Sequence, residues 1–147
     1  MTGGEKTRIL FVCGGNTCRS PMAAAIANAR YPDVLLAENA GTAAWEDSAN
    51  EAAVHVLRDR FGIDLSGHRP RGIETIDIEG FDLVIAMDRS VASDLPDCRA
   101  QIEVWDVDDP YSRGVTAYED AAARILEEID KLARRLREAL DQMRKQC

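Results

Sequence analysis

Residues 8–21 read RILFVCGGNTCRSP, and this stretch decides the fold. Arg8–Cys13 is an unbroken apolar run after a charged start, the pattern of a strand buried on both faces of a parallel sheet. Gly14-Gly15-Asn16 breaks it. Ser20-Pro21 then opens a helix through Met22–Ala29, with Ser20 as N-cap and Pro21 at the first helical position. Strand, glycine-containing loop and helix start thus follow within fourteen residues.

Outward from this unit the same alternation continues. Val34–Ala37, Phe81–Met87 and Ile102–Val107 are expected strands. Ser48 and Glu51 have capping-box spacing ahead of a helix that stops near Gly62. Ala122, Ile125, Ile129, Leu132, Leu136, Leu140 and Met143 recur at three- and four-residue steps and predict a long amphipathic last helix. Strands alternating with helices predict an α/β three-layer sandwich with a mostly parallel sheet. Ligands of such folds bind beyond the carboxyl ends of strands. Two loops are expected there, Cys13–Ser20 after the first strand and Asp106–Gly114 after the fourth; a separate loop, Gly41–Asp47, carries Trp45.

Composition limits what these loops can serve. The 147 residues fit one domain, 1–147, with no repeat or low-complexity tract. The formal net charge of −8 argues against a nucleic-acid-binding surface. No apolar run reaches bilayer-spanning length and the first seven residues lack a secretory core, so no membrane role and a cytoplasmic location with reduced thiols are expected. The cysteines at 13, 18, 98 and 147 form no C-x-x-C pair, and His55 and His68 lack ligand spacing, so no metal is expected.

Cys13 to Arg19 is a Cys-x5-Arg loop. Successive amides of Gly14, Gly15, Asn16, Thr17 and Cys18 can form an anion nest, and the following helix start adds its own N–H groups and positive dipole end. Arg19 offers a planar fork to two phosphate oxygens. The same field favours a thiolate at Cys13, set for in-line attack at phosphorus. Ser20 can donate a hydrogen bond to the sulfur, and Asn16 tolerates a left-handed backbone. An acid must protonate the leaving group. Asp109, stiffened by Pro110 on the facing loop, suits that task and the later activation of water; a solvated turn carboxylate is the plainer reading.

On these residues the chain resembles the low-molecular-weight protein tyrosine phosphatases. CGGNTCRSP matches the nucleophile loop of that family. AGTAAW (Ala40–Trp45), GHRPR (Gly67–Arg71), AMD (Ala86–Asp88) and DPY (Asp109–Tyr111) match further segments in order. The resemblance implies Cys13 as nucleophile, Arg19 as phosphate clamp, Asp109 as general acid, a four-stranded parallel sheet flanked by helices, and no cofactor. It implies phosphorylated protein side chains as partners, with inorganic phosphate or a similar oxyanion as a ligand. His68 and Asp88 are expected in the network supporting the loop. Cys18 matches a second loop cysteine present in many members, where it can form a reversible disulfide with the nucleophile, which would make the enzyme redox-regulated; a small buried thiol is the alternative. Cys98 and Cys147 have no assigned role.

Trp45 and Tyr111 suit the walls of a pocket for a phenyl ring, although Trp45 can instead pack on its own loop. Thr17 points the other way. Members of this family with Ile there tend to be tyrosine phosphatases, and a bacterial branch with Thr includes protein arginine phosphatases. Phosphotyrosine is the first expectation and phosphoarginine the second. An arsenate reductase, which needs further closely spaced cysteines, ranks behind both.

Overall fold

The computed structural model describes residues 6–146; Cys147 and residues 1–5 of the first-seven-residue reading lie outside the described residues. Strand β1 is Thr7–Cys13, followed by helix α1 (Arg19–Arg30), β2 (Leu35–Gly41), α2 (Glu51–Phe61), two 3-10 turns (Ile73–Thr75 and Ile78–Gly80), β3 (Leu83–Ala86), α3 (Arg89–Ser93), β4 (Gln101–Val104) and α4 (Val115–Gln146). The four strands form one parallel sheet in the order β2-β1-β3-β4. This is the expected α/β architecture.

The central position of β1 follows from its sequence. Ile9 and Phe11 point into one core, with α1, α2 and α4. Leu10 and Val12 point into the other, with α3 and the 3-10 turns. All four are fully buried, contributing roughly 1.5–3 kcal/mol each. The two faces are therefore covered unequally: three long helices on one, short elements on the other.

Register brings the site together. Cys13 pairs with Gly41, Val12 with Ala86, and Ala86 with Val104. The carboxyl ends of all four strands therefore lie along one edge, where the expected binding loops emerge.

Several boundaries differ from the sequence expectation. Strand β2 runs on to Gly41, because pairing with β1 carries it past Ala37. Strands β3 and β4 are shorter than their apolar runs; beyond them Met87, Trp105 and Val107 still donate across the sheet edge, to Val12, Ala86 and Met87. The Ser48–Glu51 capping box does not form. Asn50 is the N-cap of α2, its Oδ1 accepting from the Ala52 amide at 2.9 Å. Ser20 is not an N-cap either: α1 starts two residues earlier than expected, at Arg19 with Cys18 at the cap position, and the Ser20 hydroxyl is turned to Cys13. Helix α3 is a single short turn without hydrophobic periodicity, so only the cap of Asp88 on the Val91 amide announces it. The long last helix is as expected, and begins earlier, at Val115.

Candidate active site

The loop from Cys13 to Arg19 is held from outside by its carbonyls. Thr42 and Ala43 donate to the carbonyls of Cys13 and Gly14, Asn50 to that of Thr17, and Met22 to that of Cys18. His68 Nε2 donates to the Asn16 carbonyl at 2.7 Å. The amides of Gly14, Gly15, Asn16, Thr17 and Cys18, by contrast, donate to no protein acceptor among the described residues. No side chain caps α1. Carbonyls engaged and amides left over are what an anion cup requires.

Asn16 makes the turn. It has φ of 58°, in the left-handed region. Its amide group donates to Ser20 Oγ and Asn39 Oδ1, both at 2.9 Å, and its Oδ1 accepts from the Arg71 amide. These bonds hold a backbone conformation that a non-glycine residue rarely adopts. Gly41 makes the close approach possible. A Cβ there would sit 2.5 Å from the Gly14 carbonyl oxygen and 2.9 Å from Asn16 Cβ.

Cys13 Sγ, at the end of β1, lies 2.9 Å from Ser20 Oγ. The Ser20 oxygen accepts from Asn16, and its own hydrogen has two acceptors in reach, the Cys13 sulfur at 2.9 Å and the Ala40 carbonyl at 3.4 Å, the sulfur being the nearer. Arg19 is 5% exposed and fixed from behind: Nη1 donates to Asp88 Oδ2 at 2.9 Å and to the Val107 carbonyl at 2.7 Å. Asp88 thus serves two elements with one carboxylate, capping α3 through Oδ1. Burial raises the proton affinity of Asp88, but hydrogen bonds from the Val91 amide and Arg19 outweigh it, so the carboxylate titrates below its ordinary range.

Asp109 stands across the cleft. Its Oδ1 accepts from the Tyr111 amide and its Oδ2 lies 4.0 Å from Arg19 Nη2. A cleft of about 210 Å³ joins Cys13, Gly14, Gly15, Thr17, Cys18 and Arg19 to Asp109, Tyr111, Trp45 and Glu46. Trp45 is 77% exposed and Tyr111 49%, so the two rings rim the mouth. Trp45 does not pack into its own loop. Cys18 is buried, its Sγ 3.5 Å from both Thr17 Oγ1 and Tyr118 Oη. Burial pushes its thiol up, keeping it protonated. Cys98 is partly buried and packs against the other core.

The sequence expectation thus brings together every residue named for the cup, the clamp and the facing carboxylate. It missed Asn39, Asn50 and Arg71, which act on the loop through one hydrogen bond each. Arg71 lay within the recognised GHRPR segment, and Asn39 and Asn50 stand beside a strand end and a helix start. Glu46, on the rim, was missed as well.

The family model described as low molecular weight phosphotyrosine protein phosphatase matches residues 8–144. The chain belongs to this family. It is 34% identical to a probable low molecular weight protein-tyrosine-phosphatase of Ralstonia solanacearum, EpsP, over 88% of this chain and 95% of the relative. It is also 34% identical to a protein-arginine-phosphatase of Geobacillus stearothermophilus, with the same coverage of both chains. The crystal structure of the low molecular weight protein tyrosine phosphatase from T. tengcongensis superposes with a TM-score of 0.81 and 38% identity, covering 89% of this chain and all of the other. No helix among the described residues of this phosphatase-family chain is long and apolar enough to cross a membrane.

Proposed function

We propose that this single-domain protein is a phosphotyrosine phosphatase working through a phosphocysteine intermediate. The observation that carries the reading is the cup of unengaged amides closed by Arg19 around Cys13 Sγ. The thiolate attacks phosphorus, forming an S–P bond while the P–O bond to the leaving group breaks. Asp109 gives its proton to the departing oxygen. Loop amides and the guanidinium bear the charge on the phosphoryl oxygens. Asp109 then takes a proton from a water that attacks the phosphocysteine, and phosphate leaves. Ser20 donates to the sulfur as it departs. The rings of Trp45 and Tyr111 suit the edges of a phenyl group at the cleft mouth. His68 and Asp88 act as positioning residues, through Asn16 and Arg19 respectively.

A second reading has phosphoarginine as substrate. Thr17 lines the cleft, where its hydroxyl can meet a guanidinium nitrogen or orient water, and a protein-arginine-phosphatase is among the relatives. The experiment compares kcat/KM on matched phosphotyrosine and phosphoarginine peptides, with Thr17→Ile alongside. A higher value for phosphotyrosine, little changed in the variant, is expected. A phosphoarginine preference that Thr17→Ile abolishes establishes the second reading. Arsenate reduction finds less support, because Cys98 packs against the core on the opposite face of the sheet from Cys18 and has no cysteine closely spaced with it in sequence.

Cytoplasmic location and redox control belong to the same proposal. Oxidation of Cys13 by peroxide gives a sulfenic acid, which the Cys18 thiol condenses to a disulfide with loss of water. Intact mass after peroxide, with and without reductant, tests this: Cys18→Ser is expected to make the loss of activity irreversible.

A further inference from the structure

A second cleft, of about 340 Å³, opens beside the catalytic one, and Asp109 stands in the wall of both. Its floor is made by Val107, Pro110 and two alanines, Ala117 and Ala121, one helical turn apart on α4. Small side chains at these positions leave a trough between the Asp106–Arg113 loop and the helix. A residue seated over Cys13 and crossing Asp109 therefore brings its neighbours in sequence to this trough.

The charges in it are both distinctive and unspent. Asp106, Asp108 and Asp120 line the trough and form no ion pair among the described residues, and neither does Arg113. Arg124 is already engaged, donating to the Trp105 carbonyl at 3.1 Å and pairing with Glu128 at 3.4 Å. Three uncommitted carboxylates and one uncommitted guanidinium thus line the same trough, in a chain of net charge −8.

From the shared wall, the alanine floor and this imbalance we infer that the trough is a substrate subsite, which takes polypeptide flanking the phosphorylated residue and favours a lysine or arginine side chain there. Asp120, projecting from α4 and remote from the reacting sulfur in sequence and role, is the specificity-determining carboxylate. Arg113 opposes it and discriminates against acidic flanks. The inference rests on the phosphatase reading of the adjoining cleft.

The test uses two phosphotyrosine peptides that differ only in Lys or Glu on either side of the phosphotyrosine, with p-nitrophenyl phosphate as a substrate that has no flank. Wild-type enzyme is expected to favour the Lys peptide in kcat/KM by about two- to fivefold, the size of one or two exposed charge pairs. Asp120→Lys removes or reverses the preference, Arg113→Glu enlarges it, and high salt erases it. p-Nitrophenyl phosphate turnover stays unchanged in both variants. Equal values for the two peptides overturn the subsite, as does a preference that survives Asp120→Lys. So does an Asp120→Lys variant that slows all three substrates alike. Wild-type enzyme inert towards p-nitrophenyl phosphate contradicts the phosphatase reading itself, which separates the two failures.

Discussion

At the scale of the residue, the site depends on side chains such as Asn16, Ser20 and Asp88 that each hold more than one partner. Ser20 is the clearest case. The sequence around Ser20-Pro21 has the form of a helix cap, yet the hydroxyl accepts from Asn16 and faces Cys13 Sγ at 2.9 Å. A hydrogen bond to a charged group contributes about 1.5–3 kcal/mol. Ser20→Ala is therefore expected to lower kcat about ten- to a hundredfold while leaving oxyanion affinity nearly intact; stopped-flow turnover and phosphate competition separate the two. An unchanged kcat removes Ser20 from the chemistry. Asp109→Asn makes a different prediction, because the acid matters in proportion to how poor the leaving group is. Its rate loss rises steeply with the pKa of the departing alcohol or phenol across a series of aryl phosphates. A loss that is flat across the series contradicts the acid role.

At the scale of the element, the cup is shaped by what presses on it from the neighbouring strand and helix. Gly41 ends β2 directly against the Gly14 carbonyl. Gly41→Ala forces the loop to move, so activity is expected to collapse together with a loss of about 1–3 kcal/mol in stability. Activity retained in a stable variant means that the loop shape is not held by this contact. The start of α2 offers a second check. Asn50 caps the helix, so Asn50→Ala is expected to cost about 1 kcal/mol in urea unfolding, and Ser48→Ala next to nothing. The reverse ranking restores the capping box that the sequence suggested. These two elements also mark how far the sequence could be read. Strand β1, α1 and the stripe of α4 were legible, since hydrophobic period and a Gly-Gly break fix them locally. The capping choice at α2 and the five-residue α3 were not. Asn50 and Ser48 are equally good caps in isolation, and the choice between them depends on the Asn50 amide meeting the Thr17 carbonyl across the fold.

At the scale of the whole molecule, four strand ends converge on one phosphate-sized cup, and its supports come from distant parts of the chain. His68 reaches the Asn16 carbonyl, and Asp88 reaches Arg19. Such contacts leave no trace in local pattern, although the motif segments containing both residues were recognisable. They do leave a trace in stability. Burial lowers the proton affinity of His68 and nearby Arg71 adds to this, against the opposing hydrogen bond to Asn16, so the folded state holds the ring neutral. Its contribution is complete above the unfolded value of about 6.5 and is lost as pH falls from there through the lowered folded value. Urea midpoints at neutral pH and about one unit below that value are expected to differ less in His68→Asn than in the wild type. An equal difference means that the ring does not titrate between the two states. The chemistry itself turns on the Cys13 sulfur. Rapid acid quench of a turnover reaction, followed by peptide mass mapping, tests it most directly. With an activated aryl phosphate, whose departure needs little acid help, one phosphoryl group is expected on the peptide bearing Cys13, accumulating when Asp109→Asn slows hydrolysis of the intermediate and absent in Cys13→Ser. A phosphoryl group on any other residue, or full turnover by Cys13→Ser, contradicts it.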